Sequence, residues 1–104
     1  MSSVADILEQ MKSKFNADAA AGMENVFQFQ VEDGDSFYVA INDGNFDVQK
    51  GEHDDPSVTM IMDTETLLGV MTGELDGMQA FMGGKLRVEG DMMLGLKLGE
   101  LFPV

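Results

Sequence analysis

From Val4 to Phe15 the apolar residues Val4, Ile7, Leu8, Met11 and Phe15 recur at three- and four-residue steps, while Asp6, Glu9, Lys12, Ser13 and Lys14 fall between them. That period predicts an amphipathic helix over residues 3–16, with Ser3 as its N-cap and Asp6 in a capping-box-like position. Ala17 to Gly22 is small and flexible, a connector. The period then changes. Phe27, Phe29 and Val31 alternate with Gln28, Gln30 and Glu32, as in a half-buried strand. Asp33-Gly34 follows, a dipeptide that supplies positive φ to tight hairpins, and Phe37, Val39 and Ile41 then alternate with Tyr38 and Ala40. Asp43-Gly44 leads into Phe46-Asp47-Val48-Gln49, so three antiparallel strands in a meander are predicted.

The second half mixes periods. Gly51-Glu52-His53-Asp54-Asp55-Pro56 reads as a loop, and Val58, Met60 and Met62 as one side of a fourth strand. Asp63 or Thr64 caps a helix carrying Leu67, Leu68, Val70 and Met71, which stops near Gly73. Asp76 opens a short helix with Met78, Phe81 and Met82 on its apolar side, ended by Gly83-Gly84. Leu86-Arg87-Val88-Glu89 is a fifth strand, and Asp91 caps a last helix containing Leu94, Leu98, Leu101 and Phe102. With Met92, Met93 and Leu96 added, that helix is apolar over more than half its circumference, so it must be covered on two sides or line something. Element order predicts an α+β fold, with helices packed on a mostly antiparallel sheet.

Composition narrows the function classes. The chain has 104 residues, 44% of them hydrophobic, which predicts one domain over 1–104 with one core and room for a modest cavity. A net charge of −13 makes nucleic acid a poor partner and disfavours docking on anionic membranes, because both require a basic face. With no cysteine there is no disulfide framework, thiolate nucleophile or Cys-type zinc site. The opening Met1-Ser2-Ser3-Val4-Ala5-Asp6 carries no secretory pattern and Phe102-Pro103-Val104 is no peroxisomal address, so a cytoplasmic location is expected.

Chemistry has few footholds. From Asp43, a twelve-residue calcium loop would need Gly at the sixth position, where Val48 stands, and Glu at the twelfth, where Asp54 stands. His53, the single histidine, lies among Glu52, Asp54 and Asp55 without a partner nucleophile or a second histidine, so a solvent-exposed loop residue is expected. Gly83-Gly84-Lys85-Leu86 lacks the preceding glycine and following hydroxyl of a phosphate loop. No catalytic residue, metal site or cofactor is expected. What remains is apolar: Met60 and Met62, Leu67, Leu68 and Met71, Met78, Phe81 and Met82, and Leu94, Leu98, Leu101 and Phe102 compete for one interior. Ten methionines make such an interior adaptable. Periodicity fits both a ligand cavity and an irregular solid core.

One stretch carries a resemblance. Met71-Thr72-Gly73, then the run from Ala80 through Gly83-Gly84-Lys85-Leu86-Arg87-Val88-Glu89-Gly90-Asp91 to Met92, and Leu94-Gly95-Leu96-Lys97-Leu98, resemble the sterol carrier protein-2 family of lipid-binding domains. Upstream, Phe27-Gln28-Phe29, Phe37-Tyr38 and Asp43-Gly44 fall where that family places its first hairpins. The resemblance implies a five-stranded sheet with helices on one side. It also implies a hydrophobic tunnel, walled by the Leu67–Met71, Phe81-Met82 and C-terminal helices, that binds or transfers a fatty acid, fatty acyl-CoA, sterol or phospholipid without catalysis. The twelve apolar residues above are then the expected ligand contacts. Lys85, Arg87 or Lys97 are either head-group partners at the mouth or plain surface charges. The acidity and the short tail depart from the family pattern and suggest a stand-alone, bacterial-type member handling a neutral or partly exposed ligand. The alternative is a non-catalytic interaction or dimerisation module with a collapsed cavity; a monomer is otherwise expected.

Overall fold

The computed structural model describes residue 9 and residues 12–101, with the backbone alone at 96, 98 and 99. Residue 9 and residues 12–14 are helical, whereas 15 and 16, expected to end the helix over 3–16, are not; the rest of that helix lies outside the described residues, as do Phe102 and the side chain of Leu98. Five strands, β1 (Glu24–Val31), β2 (Phe37–Asn42), β3 (Asn45–Lys50), β4 (Val58–Met62) and β5 (Arg87–Gly90), form one sheet in the order β3-β2-β1-β4-β5. Besides the helical residues near the start, three helices whose bounds are described accompany it: α1 (Thr64–Thr72), α2 (Gly77–Met82) and α3 (Met92–Leu101).

Three of the four ladders are antiparallel, and β1 pairs with β4 in parallel. The meander thus turns away from β1 and the chain returns to lay β4 on its free side. In that register Phe29 faces Met60 and Val31 faces Met62. Alternation decides which side is buried. Phe27, Phe29, Val31, Phe37, Val39, Ile41, Val58, Met60 and Met62 form the sheet's contribution to the core, joined by Ala20, Leu67, Met71 and Leu101. Phe29 and Phe37 stack, with ring centroids 4.8 Å apart.

The two Asp-Gly pairs behave differently. Asp43 and Gly44 have φ of 44° and 84° and connect β2 to β3 in a two-residue turn, the positive-φ geometry that matches strand twist. Asp33-Gly34 does not make such a turn. Gly34 is not in the left-handed region, and five residues, 32–36, separate β1 from β2. The reason is that Asp33 serves another element: its Oδ1 accepts from the N–H and the hydroxyl of Thr64, each at 2.8 Å, at the start of α1.

Behind the sheet, Gln28 is buried although polar. Its Nε2 donates to the carbonyls of Phe37 (3.1 Å) and Gly51 (3.0 Å), and its Oε1 accepts from the His53 N–H at 2.7 Å. These bonds press the loop before β4 onto the sheet. His53 is consequently half-buried rather than solvent-exposed, its ring edge-on to Tyr38 at 5.1 Å and its Nδ1 accepting from the Asp55 N–H.

Candidate functional site

Local capping builds the site's helices. The Thr66 N–H donates to Asp63 Oδ1 at 2.8 Å and opens α1; Gly73, at φ 83°, closes it with its N–H on the Val70 carbonyl. Hydrogen bonds from the N–H and then the hydroxyl of Thr64 hold the Asp33 carboxyl below its ordinary 3.8. Bonds from Thr66 do the same for Asp63, with Lys85 adding a smaller attraction. At the other end of α1, Lys14 Nζ donates to the Met71 carbonyl at 3.3 Å, a cation satisfying a C-terminal carbonyl. Asp76 caps α2 by accepting from the Met78 N–H at 2.8 Å, and Asp91 accepts from the Met93 N–H at 3.0 Å at the start of α3.

Between sheet and helices lies a cavity of about 540 Å³. That size is typical of small-molecule sites, which run from about 300 to 1,000 Å³. Phe29, Met60, Met62 and Val88 line it from the sheet, Leu67, Val70 and Met71 from α1, and Met78 and Phe81 from α2. Leu75, Leu86, Met92 and Gly95 complete its apolar walls, with Gly73 and Asp76 contributing from the turn between α1 and α2 and Gly77 from the start of α2. Met78, Phe81 and Met92 also reach solvent, so they mark the mouth. Met82 (79% exposed) and Met93 (73%) stand beside them. Among the described residues, these five are the exposed large apolar side chains, and all belong to α2 or the first turn of α3.

Of the residues singled out from sequence, the structure brings Met60, Met62, Leu67, Met71, Met78 and Phe81 together around the cavity. Leu101 is fully buried in the core, and Leu68 and Leu94 pack half-buried against it; none of the three lines the space. Met82 points into solvent. Leu98 and Phe102 fall outside what is described. Sequence reasoning passed over Phe29, Val70, Leu75, Leu86, Val88, Met92 and Gly95. Phe29 and Val88 carried the alternation signal of inward strand positions, but which inward positions border a void depends on where α2 and α3 stand. Among the described residues Asp76 is the one ionisable lining residue, and Lys85, Arg87 and Lys97 are absent from the wall.

Comparison with known proteins bears on this geometry. The SCP-2 sterol transfer family matches residues 4–103. Hydroxysteroid dehydrogenase-like protein 2 of Bos taurus is 30% identical over 101 residues, covering 94% of this chain and 24% of that protein. This chain therefore spans about a quarter of the length of the curated relatives it matches. Palmitated sterol carrier protein 2-like 2 from Aedes aegypti superimposes with a TM-score of 0.75 at 26% identity, covering 99% of this chain and 96% of that one. A stereoselective inverting sec-alkylsulfatase from Pseudomonas sp. shares the fold at 24% identity and TM-score 0.74, over 88% of this chain and 15% of that one.

Proposed function

Since the chain belongs to the SCP-2 sterol transfer family, we propose that it binds an apolar, lipid-like molecule between its sheet and helices and passes it on through the methionine-edged mouth. The observation that carries this reading is the cavity itself, a space of about 540 Å³ walled by Phe, Leu, Val and Met and open at one side. A close-packed domain of this size has no use for such a volume, because interiors otherwise fill at crystal-like density. Methionines at the floor and mouth suit a site that adapts to its contents. Burying a chain of about fourteen methylenes at about 0.8 kcal/mol each supplies roughly 11 kcal/mol. Association consumes several kcal/mol of that, which leaves about micromolar affinity without a salt bridge. Support for holding rather than transforming the ligand comes from the wall chemistry: among the described residues no Ser, Thr, Tyr, His or Lys lines the space, and the Asp76 carboxylate is engaged in capping α2.

The test is native mass spectrometry of the protein as purified from cells, together with titration of an uncharged pyrene-labelled alkyl probe. A co-purified lipid, saturable binding of one probe per chain and a raised melting temperature are expected. A folded protein that carries no lipid and binds no probe overturns the proposal.

A further inference from the structure

The sequence holds six cationic side chains, and none of them is among the residues that line the cavity. Lys12 pairs with Glu9 at 3.9 Å, and Lys14 is committed to the Met71 carbonyl. Lys50 ends β3, the edge strand farthest from β5. Lys85 is exposed and acts on Asp63. Arg87 reaches toward Glu89 and lines a shallow polar groove with Gln30, Glu52 and Ile61, whereas its strand neighbour Val88 lines the cavity. Lys97 pairs with Glu100 at 2.9 Å. His53, the only histidine, is tied behind the sheet through Gln28 and Tyr38. Among the described residues, no cationic side chain lines the space that would hold a ligand's polar end. The one charge in the wall, among the described residues, is the Asp76 carboxylate, beside the exposed Met78 at the mouth.

An anionic head group seated at the mouth meets the like charge of Asp76, which is exposed there and acts through water as well as along the apolar wall. Drawn deeper, it would leave water without gaining a cationic partner among the described lining residues, which is costly for a carboxylate or phosphate. The net charge of −13 opposes its approach from further away. We propose that the cavity selects by charge, taking amphiphiles whose polar end is uncharged or cationic, such as alcohols, sterol-like hydroxyls, esters or amines, and rejecting carboxylates and phosphates. This inference rests on the binding function proposed above and narrows it.

The experiment displaces the pyrene-labelled probe with 1-dodecanol, dodecylammonium and laurate, three heads on comparable chains, at neutral pH and low salt. Dodecylammonium is expected to compete about tenfold better than laurate, with the gap shrinking as salt screens the mouth. The same series is run on Asp76→Asn, because asparagine caps helices as well as aspartate does while removing the charge. Measured relative to 1-dodecanol within each protein, laurate should strengthen and dodecylammonium weaken in D76N. Laurate binding as tightly as dodecylammonium in the parent protein overturns the proposal. So does a D76N variant in which both charged ligands move in the same direction. Failure of all three amphiphiles and the probe to bind folded protein overturns the binding function itself, and charge selection with it.

Discussion

Gln28 Oε1 accepts the His53 N–H at 2.7 Å, and through that bond a residue at the centre of the sheet holds down the loop that precedes β4. The same amide donates to the carbonyls of Phe37 and Gly51. Gln28→Leu keeps similar volume but strips partners from three backbone groups. It is expected to lower stability by about 2–4 kcal/mol, since buried polar groups left unsatisfied cost about 1–3 kcal/mol each. Urea unfolding measures this, and probe binding in the folded fraction should persist because Phe29 and Met60 face the opposite side.

Acid should loosen α1 first. Asp33 and Asp63 both clamp its N-terminus, and both have folded-state pKa values held below the ordinary 3.8. A carboxylate with a depressed folded pKa adds stability above its unfolded pKa and loses it as pH falls through the folded value. The stability curve should therefore drop below about pH 4. In the double variant Asp33→Asn, Asp63→Asn that limb should be shallower. Denaturant midpoints collected across the acid range check it, and an unchanged slope would contradict the assignment.

Gly90 sits at the end of β5 with φ of 98°, and a Cβ there would lie 3.0 Å from the Ser57 carbonyl oxygen and 3.3 Å from Val58 Cα. Both neighbours are backbone, so something must shift. Gly90→Ala should cost about 1–3 kcal/mol, in the range of a non-glycine residue forced into a disfavoured region. It should also splay β5 from β4, which amide exchange at residues 58–61 would report.

Gly95 separates fold from cavity. A Cβ added there meets Val88 Cγ1 at 3.6 Å, an ordinary contact, and the position lines the open space. Gly95→Ala should stabilise α3 by about 0.5–1 kcal/mol through helix propensity. Gly95→Phe should instead place a ring in the space and weaken probe binding by at least about tenfold, or about 1.4 kcal/mol. Thermal unfolding and probe titration on both variants give the two numbers.

Oxidation should read the mouth directly. Met78, Met82, Met92 and Met93 are exposed, whereas Met60, Met62 and Met71 are buried. Peroxide should convert the first four to sulfoxides well before the others, since reactivity follows access. Bound probe should protect Met78 and Met92, which line the cavity, more than Met82 and Met93. Peptide mass mapping with and without probe tests both statements.

Much of the architecture was legible because burial here follows strict periods. Alternation located β1 to β4, and the aspartates before Thr64, Gly77 and Met92 marked three helix starts that capping bonds bear out. Asp33-Gly34 misled because a dipeptide that suits a tight turn also suits a loop whose carboxylate caps a distant helix. The cavity wall was only half legible. Periodicity says that Leu101 and Met60 are both inward, but not that the first meets packed neighbours and the second meets space. Gly95 escaped because a missing side chain leaves no hydrophobic signal.

Phe29 and Met60 lie side by side beneath the cavity, yet the whole β2–β3 hairpin separates them along the chain. Pairing across so long a loop must first overcome the entropy of bringing distant segments together, while the meander forms from neighbours. During synthesis, then, the first three strands can assemble while β1 still presents a bare edge beside Phe27, Phe29 and Val31. Such an edge invites the wrong chain, and its cover arrives only with the return of β4. The pocket is an event in time, created when the late half of the polypeptide meets the early one.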